Sequence, residues 1–514
     1  MRVVVIGGGV AGLAIAGLLA ADGHAVTLVE ARGEFGGRAG SWSSGGFRFD
    51  TGPSWYLMPE VFDHFYRLMG TSAAEQLDLS ILDPGYRAYF EEQSGAFDLP
   101  AGRTAAREAF VALDPAARAR LEDYFDSAED TYRIALDRFL YSSFERSRDL
   151  ASPELLRKLP SLVRLLLRPL DREIRRRTSD SRIRRLLGYS AVFLGGSPLR
   201  VPSMYHLMSH LDVNEGVFYP QGGFARVIES IATLASRAGA DLQLNTAARR
   251  ILVEDGAVAG VIVAGPDRGE RRIAADLVVS AADLEHTDSE LLDAADRDRS
   301  DRWWQRREAG PGAVLALLGV RGELPELAHH TLLLAEDWDG GFARIARGGT
   351  ELPEVASLYI GRPSATDAEV APPGHENLFV LVPVAANPAI GYGGVDGGGD
   401  PAIEAFVDRM IDQIARWTHV PDLADRVVVR RTIGPGDFAD DLHAWRGSAL
   451  GPAHTLRQSA FFRAPNRSRR VRGLYFAGSS TIPGVGVPMC LISAELVLKH
   501  VRGQQDAGPV SEPR

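Results

Sequence analysis

The first thirty residues leave this chain few options. Arg2–Ile6 is an apolar, β-branched run that stops at Gly7-Gly8-Gly9-Val10-Ala11-Gly12. A helical pattern from Ala11 to about Asp22 ends at Gly23, and a second β-rich run, Ala25–Val29, closes on Glu30. The order is that of a βαβ unit. In such a unit Gly7 lets the chain turn sharply, Gly9 lets backbone approach a pyrophosphate, and Gly12 allows tight helix–strand packing. The helix N-terminus then offers free N–H groups and a positive dipole end to phosphate. Glu30 lies 18 residues after Gly12, where a carboxylate accepts hydrogen bonds from ribose hydroxyls. The stretch also imitates an export signal, because Arg2 precedes an apolar run from Val3 to Ala21. Three consecutive glycines inside that run disfavour a continuous helix, so strand, turn and helix explain it better.

Two further glycine clusters choose between dinucleotides. Gly36-Gly37-Arg38 follows the acidic strand, and Phe49-Asp50-Thr51-Gly52-Pro53-Ser54 comes soon after. The glycine pair lets the chain run beside ribose and pyrophosphate, and Arg38 can neutralise phosphate charge. Far along the chain, the strand-like Leu474-Tyr475-Phe476-Ala477-Gly478 runs into Ser479-Ser480-Thr481-Ile482-Pro483-Gly484-Val485-Gly486-Val487-Pro488 and an apolar helix. That second glycine-lined helix start can set N–H groups against the electron-rich pyrimidine edge of a flavin. Nucleotide-facing motifs at opposite ends of the chain suit FAD, with cofactor contacts expected from Gly7, Gly9, Gly12, Glu30, Gly36, Gly37, Arg38, Gly52, Pro53, Ser54, Gly478, Ser479, Gly486, Val487 and Pro488.

At 514 residues the chain is long enough for two or three structural units. A net charge of −10 does not advertise nucleic-acid binding. Cys490 is the only cysteine, which excludes an intramolecular disulfide and any cysteine-based metal cluster. Strands are expected at Arg249–Val253, Ala257–Val263, Leu277–Ser280, Ala313–Val320, Val355–Ile360 and Leu378–Pro383, and a helix at Ile403–Trp417. The fold class is α/β: a Rossmann-type FAD domain with an inserted mixed-sheet substrate domain and a helical region. The FAD domain is expected in three stretches, 1–85, 205–285 and 446–503, with a helical, basic region at 86–204 and a substrate domain at 286–445. The tail, 504–514, is polar and expected to be disordered.

Several segments carry a family resemblance. Gly216-Val217-Phe218-Tyr219-Pro220-Gln221-Gly222-Gly223-Phe224 and Ala275-Asp276-Leu277-Val278-Val279-Ser280-Ala281-Ala282-Asp283 are two of them. Pro372-Pro373-Gly374-His375-Glu376-Asn377-Leu378 and Ala460-Phe461-Phe462-Arg463-Ala464-Pro465-Asn466-Arg467 are two more. With the glycine motifs they resemble the flavin-containing amine-oxidase-like superfamily and, within it, the bacterial and fungal phytoene desaturases, over nearly the whole chain. Ile482 stands where many relatives have His, and Ser479 where many wider-superfamily flavoproteins carry an acid.

The resemblance implies that oxidised FAD takes a hydride from an apolar polyene such as phytoene while a proton leaves the neighbouring carbon. Oxygen or a quinone would be the final acceptor. No Gly-x-Ser-x-Gly or His-Glu-x-x-His sequence offers a rival chemistry. The family's Arg-Asp step in the substrate domain resembles Arg148-Asp149, with Asp149 as proton acceptor or the pair steadying charge; His329 and His330 read as structural. Later-step and C30 carotenoid desaturases and carotenoid ketolases share the pattern. An amine oxidase would want an aromatic cage, which the sequence does not locate, and a flavin-bearing carotenoid carrier would bind a polyene without reducing its flavin.

A membrane-soluble substrate also needs a membrane-facing surface. From Arg157 to Arg185 ten arginines and one lysine stand against three acids, a local balance of +8. Leu155, Leu159, Leu162, Leu166 and Leu170 recur at helical spacing beside Arg164, Arg168 and Arg172, with Pro160 and Pro169 expected to divide the segment. An apolar stripe beside a basic face binds anionic leaflets without spanning them, so peripheral attachment on the cytoplasmic side is the expectation.

Overall fold

The computed structural model describes residues 1–513 except 92, 145–152 and 266–268, and for 153–157 and 159 it describes the backbone alone. Its centre is a five-stranded parallel sheet ordered Leu474–Phe476, Leu277–Ser280, Arg2–Ile6, Ala25–Val29 and Asp241–Gln243. Its inner strands are written as almost unbroken apolar runs because both faces are covered. Helices Val10–Ala21, Gly223–Arg237 and Val487–Arg502 cover one face, where Leu13, Ile15, Ile231, Leu234, Leu496 and Val497 share a core. On the other face the antiparallel strands Ala247–Glu254, Ala257–Gly265 and Gly269–Ala274 bury Ile251, Val261 and Val263 against Val4, Ile6 and Val278. The Val3–Ala21 run is therefore strand, turn and helix.

Gly12 makes this opening possible. A Cβ there would stand 1.9 Å from the Gly7 carbonyl oxygen, so the helix can approach the strand end only without a side chain.

The second body is a seven-stranded mixed sheet, Val427–Ile433, Gly312–Arg321, His375–Val384, Leu358–Gly361, His330–Leu334, Tyr86–Phe90 and Ala96–Leu99 in that order. Helix Pro401–Thr418 packs Ile403, Phe406, Met410 and Ile414 onto one face. The other face turns Leu315, Tyr359, Phe379 and Leu381 toward the interior cavity. Residues 86–99, assigned from the sequence to the helical region, instead lengthen this sheet. Tyr86–Phe90 pairs in parallel with His330–Leu334, and Arg87 is held by Asp98 across the following hairpin at 2.7 Å.

The helical region follows as Arg103–Leu113, Arg118–Ile134, a π-helical turn Ala135–Leu140, Pro153–Leu167, Leu170–Ile174 and Ser181–Phe193. Pro160 lies inside Pro153–Leu167 and does not divide it; the break comes at Pro169 alone. Among the described residues no helix is long and apolar enough to cross a membrane.

Residues 504–513, expected to be disordered, lie along the C-terminal helix. Val510 is buried and donates its N–H to Glu495 at 2.6 Å, while Lys499 Nζ donates to the Gly508 carbonyl at 2.7 Å. One apolar side chain and two charges in the helix anchor a segment whose composition alone reads as solvated.

Gly12→Ala is expected to destabilise the protein by about 1–3 kcal/mol, since alanine's better helix propensity is outweighed by forced backbone displacement. Gly341→Ala is the control: within helix Trp338–Arg347 a Cβ meets nothing within 4 Å, so neutrality or a gain of up to about 1 kcal/mol is expected. Denaturant midpoints of the two variants check the pair.

Candidate active site

Strands Arg2–Ile6, Leu277–Ser280 and Leu474–Phe476 point their C-terminal ends the same way, into one cavity of about 780 Å³. Ligands of open parallel sheets bind beyond such strand ends. Gly7, Gly9, Glu30, Gly36, Gly37, Arg38, Gly52, Pro53, Ser54, Gly478, Ser479, Gly486, Val487 and Pro488 all line it. Gly12 lies behind the lining and serves packing. Arg148 and Asp149 lie outside the described residues.

The cofactor-sized part of the wall is built to receive anions and hydroxyls. Helices Val10–Ala21 and Val487–Arg502 begin at Gly9 and Gly486 with no side chain capping them, which leaves first-turn N–H groups for a ligand. Glu30 is fixed by N–H bonds from Gly8 (2.7 Å) and Arg32 (2.8 Å). Its two oxygens keep lone pairs for a sugar. Arg38 donates to the buried Asp283 at 3.1 Å, yet its buried Nε has no partner. A Cβ on Gly52 would lie 1.9 Å from the Arg38 carbonyl oxygen, so that glycine lets the 52–54 turn close over Arg38. An orphaned guanidinium N–H, two uncapped helix starts and glycine walls fit a phosphate-bearing dinucleotide.

The C-terminal turn is held from behind by polar residues that motif reading did not single out. Asn466 is fully buried; its amide nitrogen donates to the carbonyls of Phe476 (3.2 Å) and Ile482 (3.0 Å). Thr481 Oγ1 donates to the Gly478 carbonyl at 2.9 Å, and Ser493 Oγ accepts the Gly478 N–H at 3.0 Å. Position in the 460–467 segment was the only sequence signal for Asn466.

Away from the glycine turns the wall is aliphatic and aromatic: Met58, Phe139, Leu162 and Leu211 on the helical side, Leu315 and Phe379 on the sheet side. Trp55 also lines it, stacked at 4.5 Å on His330, whose Nδ1 lies 2.8 Å from Tyr359 Oη. Burial keeps His329 and His330 neutral, pushing the first down to about 3 and the second well below the usual range. His329 Nδ1 in turn lies 2.8 Å from Thr366 Oγ1. His286 and His443, unremarked in the sequence, stack at 4.1 Å on the cavity wall, and burial, then His443, pushes His286 down to about 4.

The arginine-rich stretch is less of a basic face than its count suggests. Arg168 and Arg177 both bond Glu173 (2.8 and 3.0 Å), Arg175 and Arg184 share Asp171, and Arg182 pairs with Asp180. Arg185 is buried and donates to the Leu334 and Ala335 carbonyls. Arg164, Arg172 and Arg176 stay exposed, and beside them Val163 and Leu167 are exposed, as are Phe461 and Phe462. Val163 and Phe461 also line the cavity. Leu165 and Leu170 point into the fold instead.

The sequence profile described as flavin containing amine oxidoreductase matches residues 10–497. A carotenoid 3,4-desaturase of Haloarcula japonica is 37% identical over 497 residues, 96% of each chain. A zeta-carotene-forming phytoene desaturase of Myxococcus xanthus is 33% identical over 515 residues, 99% of this chain and 95% of that one. Among solved structures a putrescine oxidase, bound to putrescine, superposes with a TM-score of 0.61 at 15% identity, covering 98% of this chain and all of its own; that similarity concerns the fold.

His286 sets a pH dependence. Its pKa is depressed in the folded state, so the unfolded chain takes up the proton first, and stability falls as pH drops from about 6.5 toward about 4. The slope is at most about 1.4 kcal/mol per pH unit. His286→Asn is expected to flatten this component in denaturation curves at pH 7, 6 and 5.

Proposed function

The chain belongs to the flavin containing amine oxidoreductase family, and on that premise we propose that it is an FAD-dependent carotenoid desaturase, with phytoene as substrate. One observation carries this: a single cavity joins the glycine turns to an aliphatic and aromatic wall, as a substrate with no polar handle requires. Bound FAD supplies the hydride acceptor. Gly7, Gly9 and the first turn of Val10–Ala21 take the pyrophosphate. Glu30 takes the adenosine ribose, and Gly36, Gly37 and Arg38 follow the phosphates. Gly52, Pro53, Ser54, Gly478 and Ser479 would hold the flavin portion of the cofactor, and Gly486, Val487 and Pro488 would offer N–H groups to its electron-rich end.

The protein's own work is orientation and exclusion of water. The apolar wall would hold the polyene beside the bound cofactor, and burial keeps His286 and His454 on that wall neutral. Asp149 would take the proton, or Arg148 and Asp149 together would steady the developing charge; full turnover in FAD-loaded Asp149→Asn would remove both roles. Oxygen or a quinone would be the final electron acceptor.

The identity to a carotenoid 3,4-desaturase favours a second reading, a later step on an already unsaturated carotenoid. Products formed in a phytoene-accumulating host separate the two.

Substrate enters from a membrane at the rim formed by Val163, Leu167, Phe461 and Phe462. Because five of the neighbouring arginines are paired internally, insertion of these side chains supplies most of the attachment, and the exposed Arg164 beside Val163 adds attraction to anionic lipid.

Two outcomes are expected. Anaerobic mixing of the holoenzyme with phytoene in vesicles bleaches the flavin absorbance and yields a longer chromophore; a flavin that stays oxidised with phytoene and later carotenoids alike would refute desaturation. Leu167→Ser with Phe461→Ser and Phe462→Ser lowers vesicle partitioning at least about tenfold, given roughly 1.5–3 kcal/mol for each buried apolar side chain, and neutral vesicles keep most of the binding.

A further inference from the structure

Arg463 is 5% exposed, and among the described residues no carboxylate pairs with it. Its guanidinium is spent on backbone carbonyls: Nε donates to Thr481 at 3.0 Å, Nη1 to Gln458 at 3.2 Å, and Nη2 to Ser479. Nη1 also reaches His454 Nε2 at 3.4 Å. His454 Nδ1 lies 2.6 Å from the Leu194 carbonyl, which can only accept, so the proton sits on Nδ1 and Nε2 is a bare acceptor facing the arginine. His454 is neutral, pushed well below its usual range by burial and then by Arg463. Burial lowers Arg463 only to about 10, which leaves it charged at neutral pH.

An unneutralised cation inside a protein is costly. Arg299, equally buried, avoids the cost, because both oxygens of Asp288 hold it at 2.6 and 3.0 Å. Arg463 occupies one particular place. Ser479, whose carbonyl it holds, lines the cavity, as do His454 and Gly484, and a Cβ on Gly484 would stand 2.6 Å from His454 Nε2. The charge therefore lies one residue behind the 478–486 turn.

We propose that Arg463 is a positioning and electrostatic residue for the flavin: it clamps the 478–486 turn and supplies, from behind it, a fixed positive charge that favours the electron-rich reduced ring. The assignment rests on the flavin reading of this cavity. A fixed charge in a low-dielectric site acts without reorganisation as negative charge develops, and the balancing anion arrives only with the electrons.

The test uses FAD-loaded protein and two readouts besides turnover: the two-electron reduction potential against a reference dye, and the dissociation constant of sulfite, which adds to oxidised flavin and leaves the ring negatively charged. Failure of the parent protein to hold FAD would defeat the flavin reading itself, separately from Arg463. With FAD bound, Arg463→Met is expected to weaken sulfite binding at least about tenfold and lower the potential by about 30 mV for each tenfold. Arg463→Lys, which keeps the charge and loses the three-carbonyl clamp, should stay within about threefold of the parent. His454→Glu places a carboxylate against an intact Arg463 and should shift both readouts as Arg463→Met does, which keeps the idea testable if the methionine variant loses its flavin. Unchanged potential and sulfite affinity in loaded Arg463→Met or His454→Glu would overturn the proposal. So would equal losses in the lysine and methionine variants, because shape would then be the cause.

Discussion

Three hydrogen bonds just past the ends of the parallel strands hold the architecture of the site together. Gly7 N–H donates to Val29 at 2.9 Å, Ala281 N–H to Ile6 at 2.8 Å and Ala477 N–H to Ser280 at 3.0 Å. Each extends the sheet ladder by one step into a loop, so turns drawn from residues 7–12, 281–283 and 478–486 leave the sheet side by side. Segments separated by more than four hundred residues are thereby aligned before any side chain contributes. Everything chemical is hung on that alignment: Arg38, from the neighbouring 36–38 turn, meets Asp283 of the second, and Asn466, Thr481 and Ser493 brace the third.

How much of this the sequence disclosed follows from burial. Arg2–Ile6, Ala25–Val29 and Leu277–Ser280 have the bounds read from the sequence because both faces of a central parallel strand are covered and the residues are apolar almost without interruption. Ala96–Leu99 carries the same information in four residues of alternating exposure, too few to stand out, and its partner Tyr86–Phe90 places Arg87 mid-strand. That arginine reads as a surface residue until Asp98 across the hairpin is known. Val355–Ile360 shifts to Leu358–Gly361 because pairing with Phe379, Val380 and Leu381 sets the register, and register is not written in one strand alone.

Charge was legible as a count and illegible as a surface. The +8 balance of residues 157–185 is real, yet Glu173 and Asp171 each hold two arginines and Arg185 turns inward to carbonyls. Arginine suits such sharing because its planar fork donates in several directions at once. The apolar positions divided differently too: Leu165 and Leu170 went to the core, while Val163 and Leu167 stayed outside beside Phe461 and Phe462, which come from a part of the chain some three hundred residues away. No periodicity within one segment announces a rim assembled from two.

The same cavity must hold a polyanionic cofactor and, in the proposed reaction, a hydrocarbon, and the placement of charge answers both demands. Around the glycine turns positive character comes from helix ends and from Arg38, whose buried neighbour Asp283 limits it to what one guanidinium leaves over. On the same wall two histidines are silenced: His286 and His454 face the cavity and burial holds both below neutral pH. Arg463 could not be silenced in that way, since a guanidinium does not give up its proton near neutral pH, and it stands one layer back, with backbone carbonyls between its charge and the ligand. A cation placed in the wall itself would draw water toward a substrate that excludes it. Behind the turn it keeps its field and loses its hydration, and that division lets one space serve two ligands of opposite character.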